Sequence, residues 1–352
     1  MRVERNVAAS DNQQASVFER AVDAHLSGEL DQAAALYRQA GEEGDADGWF
    51  QLGALRSDQG RIDEAIDAYR KAAVAGDAEA RLNVANMVAD HYDQTDEAKR
   101  LYREAIEAGD TRALVELGVV LGRLGETDEA KEMFRAAVES GDARGHLRLG
   151  SLLEDAGDTA GALSEYRHAV AEHVPASWTE LGMALDEQGD AEEAEAVLRA
   201  GVEAGDDWAY GSLGELLCEQ GRYDEAEEIF QTGIVEERDA VWLPYGNCLA
   251  SIEGRAGDAE AAYRQALAHG DEDAHLNLAS HLMDQGRGEE AEAEFRSALE
   301  AGDEMARLPY AIYLLDAGRD DEAREHLAVA ASNGDEDAQQ LLTGQGSEND
   351  PS

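Results

Sequence analysis

The side chains with most chemistry to offer are carboxylates: 78 Asp and Glu face 29 Lys and Arg in a 352-residue chain of formal charge −49. The nitrogen and sulfur ligands are nine histidines, His25, His91, His146, His168, His173, His269, His275, His281 and His326, and two cysteines, Cys218 and Cys248. A helical zinc pair needs histidines at i and i+4. His168 and His173 are five apart and His275 and His281 six apart, so neither pair has that geometry. The cysteines show no C-x-x-C spacing, which reads as two buried thiols in a reducing compartment rather than a disulfide framework. No Ser-His-Asp set, P-loop or G-x-G-x-x-G fingerprint is present. The chain is therefore expected to have no catalytic, cofactor-binding or metal site and not to be an enzyme.

Charge narrows the partners. A field this negative repels phosphate backbones and anionic headgroups, which argues against nucleic acid and membrane surfaces. The start of the chain carries Arg2, Glu4 and Arg5 without the apolar run of a signal peptide, and no later stretch of about 18 apolar residues occurs. The expectation is a soluble cytoplasmic protein. Its only lysines are Lys71, Lys99 and Lys131, a bias that suits a high-salt cytoplasm or a GC-rich genome equally.

What must position any site is an internal repeat. Ala33, Ala65, Ala98, Ala130, Ala162, Ala194, Ala226, Ala259, Ala291 and Ala323 follow one another at 32 or 33 residues. Four residues after each stands a large side chain: Tyr37, Tyr69, Tyr102, Phe134, Tyr166, Leu198, Phe230, Tyr263, Phe295 and Leu327. That spacing puts each pair on one face of a helix, and a small residue three places later, as at Ala72, Ala105 and Gly201, permits close approach of a neighbour. Five residues before the Ala lies a turn glycine, such as Gly28, Gly60 or Gly221, in nine of ten repeats, with Asp93 the exception. Each unit is thereby broken into two helices. The first centres on Leu-Gly or an equivalent, as at Leu52-Gly53, Leu149-Gly150 and Leu213-Gly214.

Repeats join through a Gly-Asp pair, as at Gly44-Asp45 and Gly141-Asp142, where Gly ends one helix and Asp caps the next. His173-Val174 with Pro175, and Glu237-Arg238 with Asp239, interrupt that pattern. The expected organisation is an extension over 1–13, ten tandem repeats over 14–335, a capping helix over 336–343 and a disordered tail over 344–352.

Trp49-x-x-Leu52-Gly53, Gly60, Asp63-Glu64-Ala65, Tyr69 and Ala72 together resemble the tetratricopeptide repeat signature, and the short Gly-Asp joint is similar to the Sel-one-like variant. The resemblance implies an all-α, right-handed α-α superhelix, a solenoid of about ten helix-turn-helix repeats, whose first helices line a concave protein-binding surface. On that surface, Asp58, Asp90, Asp155, Glu187, Glu219, Asp284 and Asp316 recur five residues after the central Gly or Ala, acidic in seven of ten repeats. Carboxylates near a helix C-terminus oppose its macrodipole, so helix preference does not account for them, although general acidity supplies a bland alternative. Glu64, Glu97, Glu129, Glu193 and Glu225 need no such account, because second-helix starts favour negative charge. Trp49, Trp178, Tyr210 and Trp242 match a core site one turn before Leu-Gly, whereas Trp208 is out of phase and is the expected exposed anchor. A late second-helix row, Arg38, Arg70, Arg103, Arg135, Arg167, Arg199, Arg264 and Arg296, suits the negative helix end and reads as structural. Asn86 and Asn247 have no lysine beside them, against the carboxylate clamp of the family. The function expected is a non-catalytic protein-protein interaction scaffold or adaptor binding a basic peptide or protein in an acidic concave groove. The alternative is a regulatory subunit of an enzyme complex whose chemistry lies on another chain.

Overall fold

A computed structural model of the chain describes residues 15–346 apart from 78 and 92–94. The 1–13 extension, the last part of the 344–352 tail and Asp93 lie outside the described residues. The chain forms two compact units, 1–174 and 175–352, and the boundary falls at the joint where Pro175 follows Val174 in place of Gly-Asp.

Unit one contains five helical hairpins. These are α1 (Val17–Leu26) with α2 (Leu30–Glu42), α3 (Ala46–Asp58) with α4 (Ile62–Ala75), and α5 (Glu79–His91) with α6 (Thr95–Glu107). They continue as α7 (Ala113–Arg123) with α8 (Thr127–Glu139), then α9 (Arg144–Asp155) with α10 (Thr159–Ala171). Unit two begins with α11 (Ser177–Glu187) and α12 (Ala191–Ala204), then α13 (Ala209–Glu219) and α14 (Tyr223–Val235). It proceeds through α15 (Trp242–Ser251) with α16 (Ala256–Ala268), α17 (Ala274–Asp284) with α18 (Gly288–Ala301), and α19 (Arg307–Asp316) with α20 (Asp320–Ser332). A last helix, α21 (Glu336–Gly346), packs on α20 and runs three residues past the expected 343. Within each unit a first helix packs on its own second helix and on the second helix before it. No strand occurs among the described residues.

Local chemistry sets these boundaries. Ser16 and Glu19 form a reciprocal capping box, with the Glu19 amide donating to Ser16 Oγ at 3.1 Å and the Ser16 amide to Glu19 Oε2 at 2.6 Å. The joint aspartates act as caps: Asp77 Oδ1 accepts from the Ala80 amide at 3.0 Å and Asp335 Oδ1 from the Ala338 amide at 2.9 Å. Gly76, at φ 108°, takes the left-handed turn that ends α4. Where a joint glycine is lacking, His173, Ala176 and Glu237 occupy that region at φ 55°, 64° and 59°.

All ten periodic alanines are completely buried, and the ten large side chains four places on are no more than 6% exposed. The central glycines explain why. An added Cβ at Gly53 would meet the Tyr69 ring at 2.8 Å, at Gly118 the Phe134 ring at 2.5 Å, and at Gly182 Leu198 Cγ at 2.5 Å. In the six hairpins with a central glycine, Gly53, Gly118, Gly150, Gly182, Gly214 and Gly246, the bulk of the second helix thus rests on the missing side chain of its own first helix. In unit one this core is continuous from Ala65 to Leu149 and includes Ala130. Replacing Ala130 by leucine is expected to destabilise unit one by about 1–3 kcal/mol through overpacking. An unchanged melting temperature would contradict the packing described.

Candidate functional site

All seven carboxylates of the sequence-derived row are exposed. Asp58, Asp155, Glu187, Glu219, Asp284 and Asp316 are each the last residue of a first helix, and Asp90 is the next to last of α5. None of them makes an ion pair or a side-chain hydrogen bond among the described residues, which sets them apart from several carboxylates of the second helices. Glu97 pairs with Arg70 at 3.1 Å, Glu129 with Arg103 at 2.6 Å, and Glu225 with Arg222 at 2.6 Å. Five arginines of the late second-helix row make intramolecular ion pairs: besides Arg70 and Arg103, Arg199, Arg264 and Arg296 are bound to Glu195, Glu260 and Glu292 on their own helices.

A second arginine series escaped the sequence reading. Arg222, Arg255, Arg287 and Arg319 stand at the N-caps of α14, α16, α18 and α20 and reach back one repeat. Their partners are Glu195 at 2.6 Å, Glu227 at 3.2 Å, Glu260 at 2.6 Å and Glu292 at 2.8 Å. Hydrogen bonds from these arginines hold the carboxyls of Glu195, Glu227 and Glu260 below their usual range. The signal was the 32- or 33-residue recurrence of Arg just before the acidic second-helix start.

Unit two also carries a polar ladder across its first helices. Asn247 Nδ2 donates to Glu215 Oε1 at 3.2 Å, while Asn247 Oδ1 accepts from Asn277 Nδ2 at 2.8 Å and from the Tyr263 hydroxyl at 3.1 Å. Burial pushes the Glu215 carboxyl up, the Asn247 hydrogen bond lowers it, and the Glu219 charge raises it again. Burial, with the charge of Glu215, pushes the Tyr263 hydroxyl up to about 12. Asn247 thus hydrogen-bonds within the protein through both its amide nitrogen and its oxygen, and Asn86 accepts from the Tyr102 hydroxyl at 2.9 Å.

Trp208 is 59% exposed at the start of α13, whereas Trp178 and Tyr210 are buried and Trp49 and Trp242 half-buried. It does not share a site with the acidic row. Trp208 and Glu219 stand at opposite ends of α13, about 16 Å apart at 1.5 Å per residue.

The cysteine reading is overturned. Cys218 on α13 and Cys248 on α15 are joined in a disulfide with Cα atoms 5.8 Å apart, so the chain does not carry two separate thiols. The repeat placed them together. A separation of 30 residues is close to one period, and residues one period apart lie on adjacent first helices, which pack directly here. The histidines make local contacts: His146 Nδ1 lies 2.7 Å from Glu165 Oε2, and His275 Nδ1 2.7 Å from Glu294 Oε2.

Family models described as tetratricopeptide repeat match overlapping segments from 93 to 240 and from 253 to 338, and further ones match 46–73 and 15–39. A search of curated proteins finds no match. Among solved structures the chain is similar to yeast Tom70, at 13% identity over 94% of each chain with a TM-score of 0.59. It is similar to the human IFIT1 dimer with PPP-AAAA, at 17% identity over 82% of this chain and 76% of that one, TM-score 0.50. The uropathogenic Escherichia coli protective antigen c5321, which displays an SLR fold, matches at 22% identity over 89% and 74%, TM-score 0.45. At such identities the likeness is one of fold alone. Since the repeat models cover most of the chain and its hairpins are built as those models require, the chain belongs to the tetratricopeptide repeat family.

Proposed function

We propose that this chain is a non-catalytic scaffold that holds a basic protein or peptide along the ends of its first helices. Tetratricopeptide repeats typically bind proteins or peptides. The observation that carries the finer reading is the row itself: seven exposed carboxylates, one per repeat in seven of ten, left without ion pairs in a molecule where several second-helix carboxylates, such as Glu97, Glu129 and Glu195, are paired to arginine. Each opposes the dipole of its helix, so the fold gains nothing from it. A cationic partner would neutralise the row and reverse that repulsion. The net charge of −49 argues in the same direction against nucleic acid and anionic lipid as partners.

No helix among the described residues is long and apolar enough to cross a membrane. A cytoplasmic location belongs to the same reading, but the cysteines no longer support it, because disulfides persist mainly in oxidising compartments.

The test is ionic strength combined with neutralisation of the unit-two row by Glu187→Gln, Glu219→Gln, Asp284→Asn and Asp316→Asn. Affinity for a lysine- and arginine-rich probe peptide is expected to fall about tenfold or more from low to high salt. The variant should bind weakly at all salt concentrations yet melt slightly higher, since four unfavourable dipole contacts are gone. Salt-independent affinity in the unaltered protein would exclude recognition by this row.

A further inference from the structure

Three successive repeats of unit two meet at their joints around a groove of about 680 Å³. Its apolar lining is the Trp208 ring with Leu243 and Pro244, and Trp208 is 59% exposed there. What distinguishes this groove is the fate of the joint carboxylates. At two joints of unit one, Asp110 and Asp142, the residue two places on is an arginine that folds back on the carboxylate: Arg112 Nη2 lies 2.8 Å from Asp110 Oδ2, and Arg144 Nη2 2.7 Å from Asp142 Oδ2. Those arginine hydrogen bonds hold both carboxyls below their usual range. The same register in unit two holds Trp208, Ala240 and Asp273.

With those arginines replaced, the groove keeps negative charge that nothing within it neutralises. Glu237, Asp271, Glu272 and Asp273 line it and make no ion pair among the described residues. Its arginine, Arg238, is engaged by Asp207 and Glu236, and His269 lies 2.7 Å from Asp239. Burial and the neighbouring Asp273 push the Asp271 carboxyl up, opposite to Asp110 and Asp142. The carboxylates are spread rather than convergent: no group of three or more His, Cys, Asp or Glu able to hold a metal ion occurs among the described residues.

An exposed indole with dispersed carboxylates around it matches a flat, weakly hydrated cation better than a compact one, because a guanidinium can stack on the ring and still fork its N–H groups to carboxylate oxygens. We propose that this groove docks an arginine side chain of a basic protein segment, its guanidinium laid on Trp208 and hydrogen-bonded to the joint carboxylates. The assignment rests on the function proposed above and deepens it by naming the residue type that the partner presents.

The test titrates the full chain with a short arginine-rich peptide, its lysine counterpart, and a counterpart carrying neutral citrulline. Trp208→Arg, which installs the residue found at this register at the Asp110 and Asp142 joints, and Trp208→Leu, which removes the aromatic face without adding charge, change an exposed side chain; their melting curves should match the parent. Both are expected to weaken the arginine peptide about tenfold, with a smaller loss for the lysine peptide and none for citrulline. Undiminished arginine-peptide affinity in Trp208→Leu would overturn the assignment, as would equal losses for the lysine and arginine peptides. The four-residue row variant keeps the two proposals apart. If it abolishes binding while the Trp208 variants do not, the groove assignment falls and the row stands; if only the Trp208 variants weaken binding, the row falls and the groove stands.

Discussion

Replacing Gly150 by leucine should destabilise unit one by about 3 kcal/mol, at the upper end of overpacking costs. An added Cβ at Gly150 would lie 2.5 Å from Tyr166 Cε1 and 2.6 Å from Cδ1, distances at which something must move. Tyr166 is completely buried and its hydroxyl donates to Glu154 Oε2 at 2.9 Å, so the ring has no free direction in which to yield. Even Gly150→Ala should destabilise, against the general preference of helices for alanine over glycine. Gly122 supplies the contrast within the same unit. It lies inside α7, its added Cβ would meet only Leu152 Cδ1 at 3.8 Å, and Gly122→Ala should stabilise by up to about 1 kcal/mol. Thermal or denaturant unfolding of the two alanine variants checks the sign of each, and a stabilising Gly150→Ala would refute the glycine-on-ring packing. Truncating the ring as well should rescue part of the loss, so Gly150→Ala with Tyr166→Leu is expected to be non-additive by about 1 kcal/mol.

Reducing Cys218–Cys248 should lower the stability of unit two by about 3–4 kcal/mol. The bond closes a loop with a sequence separation of 30, and the constraint it places on the unfolded chain grows with the logarithm of that length. Both cysteines are buried, so reduction should be slow until unit two opens. Unfolding of the full chain with and without reductant gives the magnitude. Hydrogen exchange places it: amides of α13 and α15 should lose protection on reduction, while those of α3 to α8 keep theirs. Identical curves under both conditions, with both thiols free to alkylation in unfolding conditions without reductant, would restore the reading as two separate cysteines.

Burial was legible in the sequence, and contact between particular side chains was not. Ala130, Phe134 and Gly118 could each be assigned to a buried helical face from spacing alone, because a 32-residue repetition reveals which positions the fold holds constant. That the Gly118 void is filled by Phe134 of the same hairpin could not be read, since periodicity states which residues face inward and not which ones touch. The same limit hid the disulfide. Spacing within a motif found no partner for Cys218, whereas spacing across one repeat would have brought Cys248 beside it on the next first helix.

The site was legible to a similar depth. The exposure of Asp58, Asp155, Glu219 and Asp316 follows from their phase on an amphipathic helix, and Trp208 was marked by being out of phase with Trp178 and Tyr210. Their lack of arginine partners required coordinates, because Arg side chains reach across repeats, as Arg222 does to Glu195. So did the groove: Asp207, Asp239 and Asp271 are 32 residues apart in sequence and meet only when three joints stack.

For this chain, composition and period by themselves determined the helical hairpin, its buried stripe, its turns and its acidity, all of which are set by interactions within one repeat and so are written in every copy. Which side chains pair between repeats, where a cysteine finds its partner, and which carboxylates are left unneutralised were decided by tertiary structure, because each depends on residues about one period apart being brought within a few ångströms.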